Sequence, residues 1–171
     1  MTKKFTITHE FDCTPETYWR LNFDAEMNTT MYRDGLSFPE YRVEEFKETD
    51  AEIFRRTVAT PKMDVPGAVQ KIIGSNFRYT EETRFNKATK VAVFKGIPST
   101  QAEKLKTDGT MRVEALGGNR CKRIVDFTVE AKIMLVGGVL EDTAEDNLRK
   151  SYSKNATFFA QWLNDKGLKG T

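Results

Sequence analysis

Histidine and cysteine are nearly missing from this sequence. Among 171 residues there is one histidine, His9, and there are two cysteines, Cys13 and Cys121. A zinc site built from the usual nitrogen and sulfur ligands cannot be assembled from so few. The two cysteines form no spacing motif, so they read as reduced thiols of a cytoplasmic protein, with a disulfide between them as the minor alternative. Long apolar runs are missing too. No window approaches the roughly 20 apolar residues of a membrane span. The opening residues, MTKKFTITHEF, have neither the apolar centre nor the small-residue cleavage site of a secretory signal. Charge of one sign is also lacking: 27 basic and 25 acidic residues are mixed along the chain, for a net charge of +2. That balance excludes the basic stripe of a nucleic-acid binder and the polybasic cluster that an anionic membrane attracts.

The common catalytic signatures are absent as well. There is no phosphate-binding loop, no dinucleotide fingerprint and no nucleophile elbow. No cofactor is called for, and no residue is assigned as catalytic. The glycines of LGGNR, Leu116 to Arg120, lie between two strand patterns rather than before a helix. The neighbouring carboxylates Glu44-Glu45 and Glu81-Glu82 would point to opposite faces of a strand, so neither makes an acid/base pair. The glycosylation triplet Asn155-Ala156-Thr157 falls inside a helical pattern and is set aside.

What the sequence has is phenylalanine, 12 copies of it, within a hydrophobic fraction of 39%. A single domain over residues 1–171 with a sizeable core is expected. Phe5, Ile7, His9 and Phe11 alternate with polar residues, the pattern of a half-buried strand. Thr14-Pro15 then offers a helix cap and a first-turn proline. Asp24 caps a second short helix that ends near Gly35. Strand patterns follow at Tyr41 to Lys47 and Glu52 to Ala59. Pro61 and Pro66 interrupt pairing, and Val65, Val69, Ile72 and Ile73 share one face of a short helix. Asn76 to Phe85, Lys90 to Lys95, Thr110 to Leu116 and Cys121 to Ile133 complete the strands, with Asp108-Gly109 read as a turn. From about Val139 to Lys166, apolar residues recur every three or four positions, and Gly167 is a natural stop.

The order is strand, two short helices, about six or seven strands, and one long helix. Consecutive strands with short turns imply an antiparallel sheet. Each strand leaves one apolar face, and only the terminal helix is long enough to cover it. The class is therefore α+β: a curved antiparallel sheet wrapped on a long C-terminal helix. Gly137-Gly138 is expected to turn the chain back through backbone angles that other residues avoid.

This order resembles the helix-grip fold of the START-like superfamily, also called SRPBCC or Bet v 1-like. FTITHEFDCTPETYWRL, Phe5 to Leu21, is similar to its opening strand and helix start. VEAKIMLVGGVLED, Val129 to Asp142, is similar to the strand–Gly-Gly–helix junction of one START-like family of unknown function, with Met134 where that family has proline. The stretch from Arg55 to Phe85 is more distantly similar to PRELI-type lipid carriers. The resemblance implies a cavity between sheet and long helix that holds a hydrophobic or amphipathic small molecule such as a lipid. It also implies that Pro66, Val69, Ile72 and Ile73 belong to a lid, whose opening would expose Val69 and Ile72 for transient membrane contact. A monomer or weak dimer is the expected state.

Ten positions are candidates for such a cavity wall: His9, Arg55, Phe77, Tyr79, Glu81, Phe127, Val129, Leu148, Tyr152 and Phe159. His9, on an apolar strand face, reads either as a polar contact at the wall or as a core histidine bonded to backbone or a carboxylate. Glu81 is in phase with Phe77, Tyr79 and Phe85. Arg55 is in phase with Ile53 and Thr57, although Phe54, Arg56 and Val58 make an equally plausible inner face. If both point inward they form a buried ion pair or hold a ligand head group. Three functions stay open on the residues alone: a carrier or binder; an enzyme of the same fold acting on an aromatic or polyketide substrate, with Glu81 and His9 or Tyr79 as its acid/base pair; and an interaction module with a filled interior.

Overall fold

The alternating strand Thr2–Phe11 (β1) forms one edge of a seven-stranded sheet, and Glu40–Glu48 (β2) forms the other. The chain between them must therefore cross the end of the sheet. It does so through Pro15–Asn22 (α1), Ala25–Thr30 (α2) and a π turn, Met31–Gly35. Both helices start where the sequence says. Thr17 N–H donates to Thr14 Oγ1 at 3.3 Å, and Met27 N–H donates to Asp24 Oδ1 at 2.7 Å. The computed structural model describes residues 2–171.

After β2 the chain runs through Glu52–Thr60 (β3), Gly67–Ile73 (α3), Tyr79–Asn86 (β4), Val91–Pro98 (β5), Leu105–Gly117 (β6), Arg120–Ala131 (β7) and Gly137–Asp165 (α4). Every neighbouring pair is antiparallel, and β7 lies between β6 and β1. This is the helix-grip architecture.

Two expectations are corrected. Asp108-Gly109 is not a turn but lies inside β6, paired with Thr128 and Phe127 of β7. A β-carbon on Gly109 would sit 2.5 Å from the Asp126 carbonyl and closer still to the Phe94 ring. Glycine is there to let the ring and the neighbouring strand approach. Nor does the Gly137-Gly138 pair supply unusual angles: the residue in the left-handed region at this junction is Leu135, with φ of 71°. Gly137 is needed for space instead, since a β-carbon on it would lie 2.5 Å from the Ala131 carbonyl, while one on Gly138 would meet nothing within 4 Å. The junction also leaves Met134 and Leu135 in the open, 88% and 97% exposed.

α4 packs against β1, β7 and the π turn. Seven strands at about 4.8 Å spacing span roughly 29 Å, whereas a helix is only about 10 Å across. One helix over β1 and β7 therefore cannot cover the inner faces of β3 to β5. Beneath the helix the core is solid: Ile7, Phe11, Tyr18, Val125, Phe159 and Leu163 are buried together. Phe159 stacks on Tyr18 at 4.9 Å between ring centroids. Among the described residues, no helix is long and apolar enough to cross a membrane.

Candidate functional site

Between one flank of α4, through Leu140, Leu148 and Tyr152, and the concave face from β3 to β7 lies a cavity of about 260 Å³. That is near the lower end of small-molecule sites, which start at about 300 Å³. Strand alternation decides which side chains reach it. The register sets Arg55 beside Thr83, Thr57 beside Glu81 and Ala59 beside Tyr79, so these share the inner face. Arg55 and Glu81 both line the cavity, which resolves the face of β3 in favour of Arg55. Phe54 and Val58 lie on the outer face, where the Arg56 and Arg84 guanidiniums stand over the Phe54 ring at 5.3 and 4.6 Å.

Of the residues singled out in the sequence, Phe77, Tyr79, Phe127, Val129, Leu148 and Tyr152 also line the cavity. Phe127 anchors the floor, edge-on to Phe94 and Tyr152 at 5.3 Å each and stacked on Phe5 at 5.2 Å. Val69 and Ile73 close one end from α3. Four positions do not reach the wall. Phe159 is part of the solid half, against Phe11 and Tyr18. Pro66 is exposed, and Ile72 packs into the cluster around α3 without meeting the cavity. His9 is turned to Arg123, its Nδ1 3.1 Å from Nη2. Its partner is thus neither backbone nor carboxylate. A guanidinium only donates, so Nδ1 accepts and any ring proton sits on Nε2. Burial, and then the Arg123 charge, push the His9 pKa down.

Arg123 is the residue that sequence reasoning missed. It is 2% exposed and lines the cavity. Nη1 donates to Tyr18 Oη at 3.2 Å and to Asn155 Oδ1 at 2.5 Å. The guanidinium stands over the rings of Phe11 and Tyr152 at 5.2 and 4.9 Å. The signal was available: extending the alternation of Val125, Phe127 and Val129 two residues back puts Arg123 on the inner face. The same contact turns the half-buried Asn155 side chain towards Arg123.

The opposite wall carries Glu81, Tyr79 and, from the π turn, Tyr32. Burial pushes the Glu81 carboxyl up, against the opposing pull of Arg55 and of a 3.2 Å hydrogen bond from Thr83 Oγ1. Burial also raises the hydroxyls of Tyr32, Tyr79 and Tyr152, so all three stay protonated donors at neutral pH. At the α3 end, Asp64 N–H donates to Asn147 Oδ1 at 3.3 Å, and Asn147 Nδ2 donates back to the Asp64 carbonyl at 3.1 Å. This reciprocal pair ties residues 61–66 to α4. Among the described residues, no cluster of three His, Cys, Asp or Glu side chains could hold a metal ion.

Fold and site together define a helix-grip protein with an internal cavity. The chain belongs to the family described as "Protein of unknown function (DUF2505)", whose model matches residues 6–163. No curated protein matches the sequence significantly. Among solved structures, a START superfamily protein from Mycobacterium smegmatis is similar with a TM-score of 0.59 at 15% identity, over 94% of this chain and 98% of its own. The Zhui aromatase/cyclase from Streptomyces sp. R1128 is similar with a TM-score of 0.57 at 14% identity, covering 94% and 90% of the two chains. Norcoclaurine synthase from Thalictrum flavum, solved with dopamine and hydroxybenzaldehyde, is similar with a TM-score of 0.59 at 13% identity, covering 94% and 88%. These likenesses establish the fold.

Proposed function

We propose that this protein binds, and delivers, a hydrophobic or amphipathic small molecule of the lipid or aromatic class, held between the sheet and α4. One observation carries the reading: the cavity of about 260 Å³ has a mainly apolar wall broken by a few deeply placed polar groups. A wall of that kind recognises a molecule with an apolar body and a polar end. Apolar ligand area leaving water contributes about 25 cal/mol per Å², while Arg55, Glu81 and the tyrosines set the orientation. Residues 61–66 and α3 act as a lid in this reading, latched by Asn147. Met134 and Leu135, whose chain neighbours Ile133 and Val136 pack into the cluster around α3, supply aliphatic surface for a brief membrane contact.

The test is native mass spectrometry of protein purified without detergent, followed by extraction and identification of whatever leaves with it. A discrete added mass from one lipid or aromatic class is the expected result. Bare protein that also takes up no apolar fluorescent probe overturns the reading.

A second reading rests on Glu81, a carboxyl raised by burial and facing the cavity, as a general acid requires. Two structural neighbours are, by their titles, an aromatase/cyclase and a synthase. Turnover of an aromatic substrate that Glu81→Gln abolishes while ligand affinity persists would favour an enzyme over a carrier.

A further inference from the structure

Two arginines are buried in this protein without a carboxylate in direct contact among the described residues. Arg123 is 2% exposed and Arg55 is 7% exposed, and both line the cavity. Among the described residues neither lies within ion-pair distance of an acid. Their hydrogen bonds go to neutral acceptors. Arg55 Nη1 donates to the Asn22 carbonyl at 2.8 Å. Arg123 is met by Tyr18, Asn155, His9 and the Tyr152 carbonyl. The Nε–H of each has no acceptor. A buried charge left unpaired costs several kcal/mol, which is why buried ions normally carry counter-ions. The two sites differ in how far they are met. Arg123 is caged by four acceptors and two rings and serves as a fixed positive charge. A guanidinium has five N–H donors. Arg55 uses one of them; its central carbon stands 5.1 Å from the Phe23 ring, and among the described residues the one carboxyl that feels its charge, Glu81, lies beyond ion-pair distance.

Charge counting gives the ligand its sign. The groups deep in the cavity are Arg55, Arg123 and Glu81. At the rim, Lys106 and Glu130 are cross-strand partners and offset one another. With Glu81 ionised the interior holds one surplus positive charge, and with Glu81 protonated it holds two. His9 adds none while its Nδ1 accepts from Arg123. The surplus is in place before any ligand arrives.

We infer that the physiological ligand is an apolar monocarboxylic acid, its carboxylate held by Arg55 in the field of Arg123 and its apolar body lying over Phe127 and Val129. A planar guanidinium with free donors suits a carboxylate, which it can grip through two parallel bonds. A single negative charge matches the smaller surplus. This inference rests on the proposed ligand-binding role of the cavity.

The experiment compares decanoic acid with decan-1-ol, and 2-naphthoic acid with 2-naphthalenemethanol, by calorimetric titration of the full chain and of Arg55→Met. Within at least one pair, the wild-type protein binds the acid at least tenfold more tightly than the alcohol. Arg55→Met brings the acid down to the alcohol and leaves the alcohol unchanged. The preferred pair separates an aliphatic from an aromatic ligand. Arg55→Met keeps side-chain volume and removes a buried charge, so folding is retained and is checked by circular dichroism. Equal binding of acid and alcohol by the wild type overturns the charge inference while the cavity reading survives, and that outcome does not depend on any variant. Loss of acid and alcohol alike in Arg55→Met also overturns it, because Arg55 would then only shape the wall. No binding of any of the four probes sinks the cavity reading itself, and the inference with it.

Discussion

Ala131, the last residue of β7, donates its backbone N–H to the side chain of Glu141, just past the first turn of α4, at 3.0 Å and out of solvent. Strand and helix are clasped across the junction, and this contact explains an acid four residues after Gly137. Replacing Glu141 by alanine leaves the Ala131 N–H buried without an acceptor. The expected loss is about 1–3 kcal/mol, read as a fall of several degrees in Tm. Glu141→Gln keeps an acceptor and should recover most of it.

The two junction glycines should separate cleanly. Gly137→Ala drives a β-carbon into the Ala131 carbonyl and is expected to destabilise strongly or to prevent folding. Gly138→Ala meets nothing within 4 Å in a helical turn. It should be neutral or stabilising, by up to about 1 kcal/mol. Thermal unfolding of the two variants side by side decides it. Equal destabilisation would mean that backbone angle, not space, selects glycine here.

Glu81 makes stability depend on pH in a definite direction. Its folded pKa lies above the unfolded value of 4.5 because burial disfavours the charged form. The native state therefore holds the proton more tightly. Stability is full below the unfolded pKa and is lost as pH rises through the folded one. Glu81→Gln should be more stable than wild type at neutral pH, and the gain should vanish below about pH 4.5. Denaturant melts across that range measure it, and a constant difference would show that Glu81 is not the titrating group.

Filling the cavity should abolish uptake without harming the fold. Leu148→Trp projects an indole into space that the wild type leaves open. Binding of an apolar fluorescent probe should weaken more than tenfold, while Tm stays within a few degrees. A large drop in Tm would mean instead that Leu148 packs against filled core.

Cys13 and Cys121 bring their sulfur atoms to 3.9 Å, both fully buried. The Cys121 sulfur and burial push the Cys13 thiol up, away from the reactive thiolate. Titration with a thiol reagent should find almost no fast-reacting sulfur in the native protein and two after denaturation. One fast thiol in the native state would contradict the burial.

Much of this was legible before the structure, and the reasons are local. Caps at Thr14 and Asp24, alternation from Phe5 to Phe11 and from Val125 to Ala131, and the long helical stripe all act within a few residues of themselves. What failed was set by neighbours distant in sequence. Gly109 looked like a turn because the reason for it, the Phe94 ring and the Asp126 carbonyl, comes from other strands. The two cysteines lie 108 residues apart, so no spacing could announce them. The cavity was legible only as an apolar face, since filled and open interiors draw on the same residues. Arg123 was passed over because a charged residue beside Cys121 was not carried through the same alternation as its apolar neighbours.

The off-centre seat of α4 divides the sheet into two regions that answer to different pressures. Ile7, Phe11 and Val125 are fitted against the helix, so a change in any of them is a change in the scaffold. Tyr79, Glu81 and Thr83 line the cavity instead, away from the contact of α4 with β1 and β7. The cavity wall can change in size, charge and polarity while the grip of helix on β1 and β7 stays as it is. A scaffold so divided lets its cavity be reshaped from the positions of β3 to β5 that line it, apart from the contact that holds the helix.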